Sequence, residues 1–73
     1  MGRSLHSERY KHLLTRLREA RLQVAITQIE VARRLRRPQS YVSKCESGER
    51  RIDVIELAEF PNLYGKSVEF FIL

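Results

Sequence analysis

The sequence predicts an all-α protein: five short helices around one core. Three observations carry that reading. Apolar residues recur at three- and four-residue intervals in successive stretches, the period of a helix face turned inward. Residues that start or stop helices punctuate those stretches: Ser7, Thr27, Pro38, Asp53 and Ser67 at the starts, Gly48 at a stop. The chain has 73 residues, 42% of them hydrophobic, which suits one small domain and is too apolar for a disordered chain.

Residues 1–7 show no periodicity and read as a loose arm. From Glu8 onward, Tyr10, Leu13, Leu14, Leu17, Ala20 and Val24 trace one face of a first helix, with Ser7 as its cap. Arg21 falls near that buried face, where a charge needs a partner. Ala25 and Ile26 lead to Thr27, an N-cap whose capping box is completed by Glu30. Val31, Ala32 and Leu35 form the apolar stripe of the second helix, and Arg36 and Arg37 break it.

Pro38 can only open a helix, because it lacks an N–H and has a fixed φ. Tyr41, Val42 and Cys45 make the third stripe, and Gly48 ends it. Asp53 and Glu56 cap a fourth helix with Val54, Leu57, Ala58 and Phe60 on its apolar face. Pro61 removes the hydrogen bond to the Leu57 carbonyl, which predicts a kink or an end there. Ser67 caps a last helix with Val68, Phe71 and Ile72 apolar.

The second and third helices are too short to be stable alone. They must cross and share a core. Ala32 is small enough to let the third helix approach, and Val42 and Cys45 would face it. The outward face of the third helix then carries Gln39, Ser40, Ser43 and Lys44, with no carboxylate until Glu46. Such a row of hydrogen-bonding groups suits the DNA major groove, where base edges offer donors and acceptors. Gln39 matches adenine in a bidentate contact, Lys44 favours guanine, and the two serines are short, tolerant readers.

Charge supports a polyanionic partner. Residues 1–51 hold 13 basic and 5 acidic residues and residues 52–73 hold one basic and 4 acidic, a balance of +8 against −3 within the chain's net +5. Other classes are disfavoured. The single cysteine, Cys45, excludes an internal disulfide and lies on an apolar stripe. His6 and His12 are six apart, not the spacing of two metal ligands on one helix face, so no metal or other cofactor is expected. No membrane span, signal peptide or catalytic signature is visible, and no enzyme is expected. The expected setting is cytoplasmic, at the nucleoid.

Residues 27–51, TQIEVARRLRRPQSYVSKCESGERR, resemble the helix-turn-helix of the Cro and phage-repressor type, the XRE family. The matching residues are Gln28, Ala32, Val42 and the run Ser43-Lys44-Cys45-Glu46-Ser47-Gly48, supported by Arg21, Asp53, Leu57, Gly65 and Ser67. The resemblance covers about residues 10–72. It implies a lambda-repressor-like domain over residues 1–73 that binds double-stranded DNA as a transcriptional regulator. It implies that Gln28 contacts a phosphate through its backbone N–H and steadies Gln39, and that Arg21 pairs with Glu46. Arg37, Tyr41, Arg50 and Arg51 are the candidate phosphate contacts.

The chain departs from the family at Ala25 and Arg36, where glycine is common, so a left-handed Arg36 is expected. Pro61 is also out of pattern. The apolar end of the chain suggests a homodimer on a palindromic operator, with Phe70, Phe71 and Leu73 at the interface. Two alternatives share the fold. One is an antitoxin-type regulator with a toxin partner, and the other is a protein-interaction adaptor that reads no DNA.

Overall fold

A computed structural model describes residues 7–73 of the chain. The expected arm, apart from Ser7, and His6 lie outside the described residues. Among the described residues six helical segments follow one another: α1 (Glu8–Gln23), α2 (Gln28–Leu35), α3 (Gln39–Ser47), α4 (Val54–Leu57), α5 (Glu59–Tyr64) and α6 (Val68–Ile72). The fourth and fifth are the two halves of one broken helix, so the expected five are recovered.

Local chemistry places the starts. Ser7, Thr27 and Asp53 each accept a hydrogen bond from the backbone N–H three residues on, at 3.1, 3.1 and 2.8 Å. Glu56 answers Asp53 by accepting from its N–H at 3.0 Å, which closes the capping box. Pro38 precedes α3 in an extended conformation, with no side-chain cap.

The stops share one device. At Ala25, Arg36 and Gly65 the chain turns left-handed, and each turn is closed by the same two bonds. Ile26 N–H reaches the Arg21 carbonyl and Ala25 N–H that of Leu22. Arg37 N–H reaches Ala32 and Arg36 N–H reaches Arg33. Lys66 N–H reaches Pro61 and Gly65 N–H reaches Asn62. Glycine takes this conformation without penalty; an L side chain gives up about 1–2 kcal/mol. Arg36, with φ 59° and ψ 46°, is left-handed as its sequence context predicts, and Ala25, with φ 60°, shares the strain.

α1 is the spine. Its buried face, Leu13, Leu17 and Ala20, packs on α3, α5 and α6, while α2 packs on α3 through Val31 and Ala32. Val42 and Cys45 of α3 fill the centre with Phe60, Tyr64 and Phe71. The aromatic rings form a chain: Phe60 stacks on Tyr64 at 6.1 Å, Tyr64 meets Phe71 at 6.5 Å, and Phe71 takes the edge of Phe70 at 5.1 Å. The Tyr10 hydroxyl accepts from the Ile52 N–H at 2.8 Å and ties the loop after α3 to α1.

Four expectations are corrected. Val24 is not a core residue; α1 ends at Gln23, and Val24 is a half-exposed cap. Val54 is 74% exposed. The helix breaks at Ala58, ahead of Pro61, whose missing N–H falls in the first turn of α5, where such a group has no helical partner. The four residues of α4 therefore turn Glu56, not Val54, inward. Phe71 is a core residue with 0% exposure, so it offers no surface to a dimer partner.

Arg36→Gly is expected to raise the melting temperature by a few degrees. Relief of the left-handed strain, less the entropy cost of glycine, leaves up to about 1 kcal/mol. Thermal unfolding followed by circular dichroism checks it; a lower melting temperature would show that the turn carries no strain.

Candidate nucleic-acid interface

The outward face of α3 is built by what its inner face must do. Tyr41, Val42 and Cys45 are buried, which leaves Gln39, Ser40 and Lys44 exposed and Ser43 half-buried at the centre of the open side. Ser47 belongs to the same stripe, one turn beyond Ser43. It is not among the expected readers, and it is engaged locally: its hydroxyl donates to the Lys44 carbonyl and accepts from the Glu49 N–H, both at 3.3 Å. Glu46, the carboxylate that would repel DNA, is turned away.

Glu46 faces Arg21. Arg21 Nε and Nη2 donate to its two oxygens at 2.7 and 3.1 Å, a bidentate pair whose side chains are 12% and 7% exposed. Arg21 Nη1 also donates to the Ile26 carbonyl at 3.1 Å, so one guanidinium ties α1 to both α3 and the α1–α2 turn. The bond to Glu46 holds the Arg21 pKa above its ordinary value.

The same carboxylate organises the row outside it. Gln28 Nε2 donates to Glu46 Oε1 at 3.0 Å, and Gln39 Nε2 donates to Gln28 Oε1 at 2.8 Å. The direction is set from the inside out. A carboxylate only accepts, so Gln28 must present its amino group to Glu46 and its carbonyl to Gln39. Gln39 then keeps one N–H and its own carbonyl oxygen for an outside partner. That is the donor–acceptor pair that adenine's N7 and N6 amino group match.

The basic residues divide in a way the composition conceals. Glu30 accepts from Arg33 at 3.0 and 2.6 Å and from Arg34 at 2.7 Å, and the two guanidiniums hold its carboxyl at about 2. Arg37 donates to Glu59 at 2.8 Å; Arg50 donates to both oxygens of Glu56 at 2.8 and 2.6 Å. Arg51 lies over the Tyr10 ring at 4.4 Å from its centroid. Lys44 makes no ion pair among the described residues. It shares an open groove beside α3 with Ser40 and Arg50.

Tyr41 differs most from expectation as a phosphate contact. It is 8% exposed, its hydroxyl is buried without a hydrogen-bond partner among the described residues, and burial pushes its pKa up to about 12. Its ring instead supports two guanidiniums, Arg37 at 4.3 Å and Arg50 at 4.8 Å from the centroid. At the other end of the chain Phe70 is partly buried, with Arg16 and Lys66 over its ring, each at 4.6 Å. Leu73 is open to solvent. In the sequence Glu56 reads only as a cap and Glu59 gives no signal, because partners six and twenty-two residues away leave no periodic pattern.

A protein-family model described as helix-turn-helix matches residues 17–71, about three quarters of the chain. A search of curated proteins found no match. No helix among the described residues is long and apolar enough to cross a membrane.

Glu46→Ala strands a buried guanidinium and removes the acceptor of Gln28. It is expected to destabilise the fold by about 3 kcal/mol, whereas an Arg21→Met/Glu46→Leu double variant recovers most of that loss, since a buried pair replaced by apolar side chains is near neutral. Urea unfolding of the parent, the single and the double variant decides it.

Proposed function

The chain belongs to the Cro/C1-type helix-turn-helix family of DNA-binding regulators, the XRE family, and from that premise we propose that it is a transcriptional repressor that occupies a palindromic operator in double-stranded DNA with α3 in the major groove. One observation carries the reading. The amide of Gln39 is oriented by an unbroken relay from Arg21 through Glu46 and Gln28, and the groups it leaves free are those that adenine matches. A merely solvated surface glutamine needs no such support.

The roles divide by contact type. Gln39 reads an adenine. Lys44 reaches a guanine from the other flank of α3. Ser40 and Ser43 let the helix sit deep because they are short. Gln28 is the first residue of α2, so its backbone N–H is one of the unpaired donors at a helix start and suits a phosphate. Arg51 contributes to the phosphate field. Tyr41 acts from beneath, by holding Arg37 and Arg50 in place.

The active species is a symmetric dimer. Leu73, Val54 and Ile55 are 78, 74 and 73% exposed, large apolar side chains that a second copy would cover. Arg51 and Ile72 line one groove, which sets the end of α6 beside the loop leading into Val54. This shifts the expected interface from Phe70 and Phe71 to α4 and the last residues.

Selection of bound sequences from a random DNA pool is expected to return a two-fold-symmetric site. Gln39→Ala and Lys44→Ala each lose about 1–3 kcal/mol of discrimination at one position per half-site. Equal affinity for every duplex at physiological salt would overturn the reading. In sedimentation with that operator, the parent is expected to bind as two copies and Ile55→Glu to bind singly and more weakly; an Ile55→Glu variant that matches the parent would exclude α4 from the interface.

A further inference from the structure

The sequence places seven basic residues between Arg33 and Arg51, yet two of them that flank α3 are neutralised from within. Arg37 lies just before the helix and Arg50 just after it. Both guanidiniums lie over the Tyr41 ring, at 4.3 and 4.8 Å. Glu59 accepts from Arg37 at 2.8 Å, and Glu56 accepts from Arg50 through both oxygens at 2.8 and 2.6 Å, with Arg37 4.0 Å away. Two cations and two carboxylates make a cluster of no net charge beside the open groove of Ser40 and Lys44.

The cluster is a poor stabilising device. Two of its buried polar atoms, the Tyr41 hydroxyl and Glu59 Oε1, have no hydrogen-bond partner among the described residues, and a half-satisfied buried network costs stability. Its arginines are also not sealed in; their side chains are 32 and 39% exposed. A carboxylate gripping a guanidinium through two oxygens offers the geometry of a phosphate. Glu56 stays ionised to do so, because the Arg50 guanidinium, together with the Asp53 N–H, keeps its carboxyl below the usual carboxylate range.

We propose that Glu56 and Glu59 are internal competitors for DNA phosphate, holding Arg37 and Arg50 in a neutral cluster so that non-specific attraction to DNA is weak and base reading by α3 decides where the protein binds. The inference rests on the DNA-binding function proposed above and adds a specificity determinant to it. The two carboxylates touch no base. They act by subtracting sequence-independent affinity, which raises the ratio of operator to bulk DNA binding. An arginine is released only where a phosphate is presented in register, which a base-matched α3 ensures.

Glu56→Gln and Glu59→Gln test it. Glutamine at position 56 can still accept from the Asp53 N–H, so the α4 cap survives. Glu59 has no capping hydrogen bond, so Glu59→Gln carries the test alone if the first variant unfolds in a thermal melt. Binding to a short mixed-sequence duplex is measured by fluorescence anisotropy from about 50 to about 200 mM salt. Each variant is expected to bind this non-specific duplex more tightly at low salt. Each is also expected to lose about 3.5-fold more affinity than the parent across that range, the steepening due to one added phosphate contact. Affinity and slope unchanged in a folded variant would overturn the inference and leave the DNA reading intact. Weaker binding would overturn it too, by showing that the carboxylates aim the arginines at DNA. A parent that binds neither this duplex nor any sequence drawn from a random pool, even at low salt, would overturn the DNA-binding reading and this inference with it.

Discussion

The bond between Arg21 and Glu46 is the constraint on which the other parts depend. Among the described residues it is the one bidentate ion pair that joins α1 to α3, and both charges are almost out of water. Such a pair contributes little net stability, because desolvation consumes most of the Coulombic gain. What it supplies is register. If α3 rotated or slid against α1, two buried charges would be left without partners, a penalty of several kcal/mol. The apolar contacts of Val42 and Cys45 tolerate small rotations; the ion pair does not. It also turns Glu46 inward, so the outward face of α3 stays free of negative charge.

Polarity then travels outward from that carboxylate. Glu46 can only accept, so Gln28 and Gln39 are set one after the other, each amide presenting its amino group inward. A base-reading side chain on a helix surface ordinarily gives up rotamer freedom on binding. Here a buried charge fixes the Gln39 amide through Gln28 in the free protein. Preorganisation of this kind improves discrimination, because a wrong base meets a fixed pattern instead of one that can adapt.

Electrostatics in this domain is a matter of pairing more than of composition. Arg33, Arg34, Arg37 and Arg50 all have carboxylate partners, and Lys44 on α3 makes no ion pair among the described residues. Packing and charge meet at Tyr41. Its ring is buried in the core while Arg37 and Arg50 lie over it, so a core residue positions surface charge. The break at Ala58 serves the same cluster. Across that break α4 turns Glu56 toward Arg50 and leaves Val54 in solvent.

The helix-turn-helix was legible in the sequence because its determinants are local. Thr27 and Glu30, the break at Arg36 to Pro38, and Gly48 act within a few residues of where they stand, and each lies where the structure needs it. The outward row on α3 followed from the period of the helix alone, and the left-handed turn at Arg36 from an arginine where glycine is common. The Arg21–Glu46 pair was suggested by family resemblance, not by spacing, since the two residues lie twenty-five apart. Only the tertiary structure decided the rest. Whether Tyr41 faces phosphate or core, whether Phe71 is interface or centre, and which basic residues are free all depend on neighbours distant in sequence. Periodicity assigns a residue to a face of its helix. It cannot say what that face meets, and for an arginine or a tyrosine at the edge of a core, what it meets is what decides its role.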